Sequence, residues 1–228
     1  EPTAASLSYA ALTKKNETVL VFDLGGGTFD VTILKISDGS NGRTVNMIAT
    51  DGDHKLGGKD WDDFIMSYME DMFEKKWHIE LYSEPKNLTS VMYGKLRIDV
   101  EKAKVALFKE NANSTAITLE YGGKQLTQEI SRALYAQKTL KLTEQCKAYC
   151  NIVLNEAGMS WDNIDTVLMI GSMSNCSTIQ NALKEWSGKD INFGLINPKT
   201  CVSEGAAIKA HILEGGNTVK IIENQNSH

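Results

Sequence analysis

Phe22-Asp23-Leu24-Gly25-Gly26-Gly27-Thr28-Phe29-Asp30 is the stretch that decides the fold. An apolar run, Thr18 to Asp23, carries an acid up to a turn, and a β-branched run, Thr28 to Ile36, leads away from it. The pattern predicts strand, turn, strand. The three glycines between the runs have no Cβ to block a ligand, so their backbone N–H groups can converge on phosphate oxygens. Asp23 is suited to hold Mg²⁺ through water, because a hard cation takes oxygen ligands and keeps much of its hydration shell. Thr28 adds a hydroxyl at the start of the return strand. A Walker loop would instead need Gly-Lys-Ser/Thr entering a helix. The competing interpretation is a solubilised glycine hairpin, although two glycines would serve a tight turn.

Working outward, Val45 to Thr50 predicts a third strand after a turn-rich loop, Ser37 to Gly42, and completes an antiparallel meander. The period then changes. Trp61, Phe64, Ile65, Tyr68, Met69, Met72 and Phe73 recur at spacings of three and four, which predicts a helix with this stripe in the core. Asp60, Asp62 and Asp63 are assigned to its first turn, where the helix dipole favours negative charge. A second helix is predicted from Ser83-Glu84-Pro85 to about Phe108. A hairpin follows, Thr115–Tyr121 and Lys124–Ile130 around Gly122-Gly123. Ser131 is the predicted N-cap of a third helix that ends near Glu156, with Gly158 closing it. The last third alternates: strand Thr166–Ile170, helix Thr178–Trp186, a break at Asn197-Pro198, helix Cys201–Leu213, and a polar, frayed tail after Gly215-Gly216. The expected class is α/β, with a mixed sheet, flanking helices and an inserted helix-and-hairpin lobe.

Composition sets the outer limits. The chain has 228 residues, 42% hydrophobic and 23% charged, which is enough for a packed core. A net charge of −5 with scattered Lys and Arg argues against nucleic-acid binding. No apolar run approaches the roughly 20 residues of a membrane span. The four cysteines, Cys146, Cys150, Cys176 and Cys201, are too few for a disulfide scaffold and are assigned as free thiols of a reducing, cytoplasmic setting. The opening Glu1-Pro2-Thr3 looks like the middle of a domain, as in a piece of a longer protein. His54 is expected to pack in its loop, and Trp61, Trp77, Trp161 and Trp186 to be packing residues.

Three blocks together carry a resemblance. Glu1-Pro2-Thr3-Ala4-Ala5, Phe22 to Val31, and Gly52-Asp53-His54-Lys55-Leu56-Gly57-Gly58-Lys59-Asp60 resemble the nucleotide-binding domain of the DnaK-type seventy-kilodalton heat-shock chaperones. Glu101-Lys102-Ala103-Lys104, Asn197-Pro198 and Glu204-Gly205-Ala206-Ala207 extend the likeness over essentially the whole chain. The resemblance implies an actin-like ATPase (ribonuclease-H-like) fold. The chain would be the second lobe, with an inner subdomain at 1–56 and 136–215, an outer one at 57–135, and a tail at 216–228. It further implies ATP or ADP with Mg²⁺ as ligands and a role in stress response. Beyond this chain it implies a first lobe, a peptide-binding domain and cochaperones.

By the same resemblance, Glu1 corresponds to an acid beside the magnesium and attacking water. Asp23 corresponds to the acid that orients magnesium-bound water, and Asp30 to a second acid near it. Gly26, Gly27 and Thr28 correspond to the loop around the β- and γ-phosphates, and Gly58 to a glycine near the ribose and phosphates. Glu101 and Lys104 correspond to the helix that reaches the ribose, and Gly171-Ser172 to the second nucleotide-binding turn. These acids and Thr28 suit phosphoryl transfer, which needs mainly positioning and charge neutralisation. This lobe alone would fold but not turn over ATP, since it holds half of a cleft.

The adenosine side departs from the family. Val105 and Phe108 stand where the family has Arg and Ser, Ile170-Gly171-Ser172-Met173-Ser174 where it has Gly-Gly-Ser-Thr-Arg, and Lys199-Thr200 where it has Asp-Glu. Lys59 replaces an acid, which suits surface variation. Ile170 is expected to crowd the ligand, and Phe108 to offer a substitute stacking surface. A nucleotide-blind pseudo-ATPase scaffold is therefore the first alternative to an ATP-binding chaperone lobe, and another actin-like ATPase or a sugar kinase is the second. Fold kinship alone does not separate them.

Overall fold

The structure is a computed structural model that describes residues 2–39, 42–81, 90–109, 112–191, 197, 200–213 and 219–222. Glu1, the helix start predicted at Ser83-Glu84-Pro85, Pro198-Lys199 and Gly215-Gly216 lie outside the described residues. The chain forms two compact units, residues 1–58 with 143–228, and residues 59–142.

The first unit is built on a five-stranded sheet in the order β6-β1-β2-β3-β7. β1 (Glu17–Leu24), β2 (Phe29–Gly39) and β3 (Gly42–Asp53) form the predicted antiparallel meander. β6 (Thr166–Ile170) joins β1 in parallel, Val19 opposite Thr166 and Asp23 opposite Ile170. The second hairpin is longer than the turn residues suggest. Ser37-Asp38-Gly39 and Gly42 are strand, because Ser37 and Thr44 share a hydroxyl bond of 2.9 Å and Arg43 pairs with Asp38 at 2.9 Å. β7 (Val219–Ile222) runs parallel to β3, so part of the predicted frayed tail is an edge strand.

Period 2 sorts the strand side chains between the two faces. On one face Val19, Val21, Leu34, Ile36, Leu168 and Ile170 pack with Ala5, Leu7, Tyr9 and Ala10 of α1 (Pro2–Leu12) and Cys201 of α7 (Cys201–Leu213). α1 is a helix that the sequence analysis missed. On the other face Phe22 meets Phe29 at 4.7 Å, and Phe29 meets Tyr149 of α5 (Leu140–Glu156) at 6.0 Å. Glu17 is buried at the start of β1 and accepts hydroxyl bonds from Tyr9, Thr13 and Thr166 at 3.0, 2.6 and 2.6 Å, so α1, β1 and β6 share one polar tie. α6 (Ser177–Ser187) follows β6 as predicted.

The second unit holds α2 (Gly58–Trp77) from Lys59 onward, α3 (Ser90–Leu107), the hairpin β4 (Ser114–Tyr121) and β5 (Lys124–Ser131), and α4 (Arg132–Lys138). The α2 stripe is core at Trp61, Ile65, Met69 and Phe73, whereas Phe64 is exposed and Met66 is buried in its stead. Because α2 begins at Gly58, only Asp60 belongs to its first turn. Asp63 instead meets Arg97 at 2.5 Å. Ser131 caps α4 through the Leu134 N–H, as predicted. The single helix expected to Glu156 is two, split at Thr139, whose hydroxyl donates to the Tyr135 carbonyl at 2.8 Å. Gly158 closes α5 with φ 63°. All four cysteines are free and buried. Burial pushes the Cys150 thiol up to about 12 and raises that of Cys146 as well. No helix among the described residues is long and apolar enough to cross a membrane.

Candidate functional site

β1 and β6 are parallel, and their carboxyl ends open into two loops, residues 25–28 and 171–174. Ligand crevices of open α/β sheets lie outside such strand ends. The first loop is a tight hairpin in which the Gly25 N–H donates to the Thr28 carbonyl at 2.9 Å. Gly26 and Thr28 are exposed at its tip, and Gly25 and Gly27 are half-buried. No side chain of the loop plugs it.

Asp23 and Asp30 sit directly opposite each other on β1 and β2, so their carboxylates share one face at the sheet's end. Directly opposed like charges repel. Asp23 is also only 7% exposed, so the pair suits a cation or converging donors. The row across four strands reads Ile170, Asp23, Asp30, Gly52. Ile170 was expected to crowd the ligand, but it points into the apolar core with Val21 and Leu168.

The second loop is tied to the end of β1. Met173 N–H donates to the Leu24 carbonyl at 3.0 Å, and Ser174 N–H to the Gly171 carbonyl at 3.1 Å. Gly171 has φ 87°, and a β-carbon there would lie 2.3 Å from Leu24 O and 2.7 Å from Asp23 Oδ1. Only glycine fits so near that carboxylate. Ser172 is exposed, and a β-carbon on Gly26 would stand 3.9 Å from its Oγ, so the two loops share one rim. Ser174, standing where the family has Arg, is buried, and its carbonyl accepts from Gln180 Nε2 at 2.7 Å. Burial pushes the Cys201 thiol up, and the charges of Asp23 and Glu204 add to the shift.

Gly58 is buried at the start of α2, and its N–H donates to the Gly25 carbonyl at 2.9 Å. Thus Asp23, Gly26, Gly27, Thr28, Asp30, Gly58, Gly171 and Ser172 lie together in the first unit. His54 is exposed rather than packed. Two neighbours escaped the sequence analysis as site residues, Gly52 and Gly57. A β-carbon on Gly57 would lie 2.4 Å from Gly27 N, and the signal was its place in the Leu56-Gly57-Gly58 run.

Glu101 and Lys104 belong to α3 in the second unit. Glu101 is exposed, whereas Lys104 makes a buried ion pair of 2.7 Å with Asp62. Burial raises the Asp62 carboxyl, and Lys104 pulls it back down. Val105 is exposed, and Phe108 packs edge-on against Tyr135 at 6.2 Å.

The donor set fits magnesium in one particular way. Among the described residues no three His, Cys, Asp or Glu side chains converge on a point. Asp23, a nearly buried carboxylate at the end of the sheet, is the hard oxygen donor through which magnesium could be held by its water shell.

Comparison with known proteins bears on the family. The chain matches the family model described as Hsp70 protein over residues 1–223. It is 38% identical over 221 residues to the chaperone protein dnaK of Cyanidioschyzon merolae, covering 94% of this chain and 34% of that one. It is 37% identical over 222 residues to the chaperone protein DnaK of Thermosipho africanus, covering 94% and 35%. The chain spans about a third of the length of these curated relatives. Matched from residue 1 to residue 223, the chain belongs to the Hsp70 family and has its actin-like ATPase fold.

Proposed function

We propose that this chain is the second lobe of a cytoplasmic chaperone ATPase and binds the phosphates of ATP or ADP with Mg²⁺. The observation that carries this is the open 25–28 hairpin with Asp23 and Asp30 side by side beneath it. In this proposal the backbone amides of Gly26 and Gly27 and the hydroxyl of Thr28 hold phosphate oxygens. Asp23 orients magnesium-bound water, and Asp30 and Glu1 stand near the attacking water. When bound, the metal would neutralise charge on the phosphates. Gly58, Gly171 and Ser172 line the rim, and Glu101 and Lys104 serve the ribose side. Residues 1–56 and 136–215, with β7 at the edge of the sheet, act as the inner subdomain and 57–135 as the outer one. The other lobe, a peptide-binding domain and cochaperones complete the working protein, in which hydrolysis switches peptide binding.

The test is calorimetric titration of ATP and ADP into the full-length protein, with and without Mg²⁺. Binding is expected to depend on Mg²⁺. Thr28→Ala is expected to weaken it by about tenfold or more, the worth of one hydrogen bond to a charged group. Asp23→Ala is expected to remove the Mg²⁺ dependence. A protein that binds neither nucleotide at millimolar concentration would overturn the proposal.

A nucleotide-blind scaffold is favoured by one set of observations. Val105 and Ser174 supply no guanidinium to stack on a base, and Lys104 is engaged by Asp62. Each lost stack costs about 0.5–2 kcal/mol. The same titration separates the two functions.

A further inference from the structure

At Gly25 and Gly26 of the hairpin, glycine is sterically optional. A β-carbon on Gly25 would come no nearer than 3.5 Å to Thr28 O, and one on Gly26 no nearer than 3.9 Å to Ser172 Oγ. Both are ordinary contacts. The strict requirement lies outside the loop, in β3 and the turn after it. Gly52 stands directly opposite Asp30 in the ladder. A β-carbon there would lie 2.3 Å from Phe29 O and 2.8 Å from Asp30 Oδ1. A β-carbon on Gly57 would lie 2.4 Å from both Gly27 N and Gly27 Cα.

These are closer than any real β-carbon stands, and at Gly57 every atom met is backbone. A change of rotamer cannot relieve such a clash, so the hairpin itself would have to retreat by about 1 Å to restore van der Waals contact. The turn that carries Gly57 has little freedom to give way instead. Asp53 Oδ1 accepts from Lys55 N–H at 2.8 Å, the Asp53 carbonyl accepts from Leu56 N–H at 3.3 Å, and Gly58 N–H is bonded to Gly25. Binding constellations need their atoms placed within about 0.5 Å.

We infer that Gly52 and Gly57 are positioning residues of the anion and metal site: Gly52 sets where the Asp30 carboxylate stands, and Gly57 sets where the Gly27 backbone stands. This rests on the phosphate-binding function proposed above. The two residues act on different halves of the site. Gly52 bears on the acid that faces the metal and its water, and Gly57 bears on the amides that face phosphate. Replacing them therefore has different consequences, which a general loss of packing would not produce.

The experiment uses ¹⁵N-labelled wild type, Gly57→Ala and Gly52→Ala, with Gly94→Ala as control, since a β-carbon at Gly94 meets nothing within 4 Å. Amide spectra are recorded first, and each protein is then titrated with ADP with and without Mg²⁺. Gly57→Ala is expected to move the amide resonances of Gly25 to Thr28 and to weaken ADP about tenfold under both conditions. Gly52→Ala is expected to raise the Mg²⁺ concentration for half-maximal binding about tenfold and to leave metal-free affinity near wild type. Gly94→Ala is expected to do neither. The inference is overturned if Gly57→Ala leaves the hairpin amides in place. It is also overturned if both variants lose affinity only in proportion to the folded protein lost. If the wild type binds no nucleotide yet Gly57→Ala still moves the Gly25 to Thr28 amides and spares those of β6, Gly57's control of the hairpin stands and the proposed function falls.

Discussion

A methyl group at position 171 has nowhere to go. With φ 87° and a virtual β-carbon 2.7 Å from Asp23 Oδ1, alanine there would strain the backbone and push on the carboxylate together. Gly171→Ala is expected to lower stability by about 2 kcal/mol or more. It should also weaken Mg²⁺-dependent nucleotide binding, because Asp23 would be displaced. Urea melts and a Mg²⁺ titration check the two effects, and a variant that melts like wild type would contradict them. Gly171 could be assigned to the site from its motif, but its φ and its contact could not be read, since both depend on a strand 147 residues away in sequence (Thr18 N–H also meets Asp165 Oδ2 across that gap). Ile170 shows the opposite limit. Its place at the end of a buried strand was legible, but the face it takes is fixed by register with Asp23, which one sequence does not reveal.

At the level of elements, what was legible is what carries a period or a punctuation mark. β6 and α7 have the bounds that their flanking turn residues indicate, and Ser131 caps α4 as its type suggests. α1 escaped because it has no polar stripe: Ala5 to Ala10 are all buried, so Pro-Thr-Ala-Ala-Ser-Leu-Ser-Tyr-Ala-Ala-Leu shows no helical alternation. The break at Thr139 has no Gly or Pro to announce it, and the Tyr135 carbonyl accepts both the Thr139 N–H at 3.0 Å and its hydroxyl at 2.8 Å. β7 is four residues long, the shortest run over which alternation can be read, and its Val-Lys-Ile-Ile does not alternate. The small residues of α1 and α7 have a use of their own. A β-carbon on Gly205 would lie 1.6 Å from the Ala4 carbonyl oxygen, so the two helix backbones touch there. Gly205→Ala must part them. The expected cost is about 3 kcal/mol, at the upper end for overpacking, and it outweighs the roughly 1 kcal/mol that alanine gains over glycine in a helix. A thermal melt decides the sign, and a rise in Tm would refute the close contact.

At the scale of the whole molecule, motif order was enough to place the chain in its family and class, whereas the strand order β6-β1-β2-β3-β7 joins segments far apart in sequence and needed the structure. The division at 58/59 and 142/143 also makes a thermodynamic claim, that each unit has its own buried centre. The Asp62–Lys104 pair tests it. Both side chains are nearly buried, at 8% and 10% exposure, and burial holds the Asp62 carboxyl above its ordinary value of 3.8. A folded-state pKa above the unfolded one means that the folded chain binds the proton more tightly. The contribution of Asp62 to stability therefore declines as pH rises from 3.8 through the folded value. Lys104→Met leaves that carboxylate buried without its cation, at an expected cost of about 3–5 kcal/mol at pH 7. The gap to wild type should narrow on acidification, as Asp62 takes up its proton. Hydrogen exchange then shows where the loss falls. Amides of α2, α3 and β4 should exchange faster in the variant, while those of β1 and β2, whose core belongs to the first unit, should keep their wild-type rates. Equal acceleration in both sets would mean that the two units open as one, and that residues 59–142 have no stability of their own.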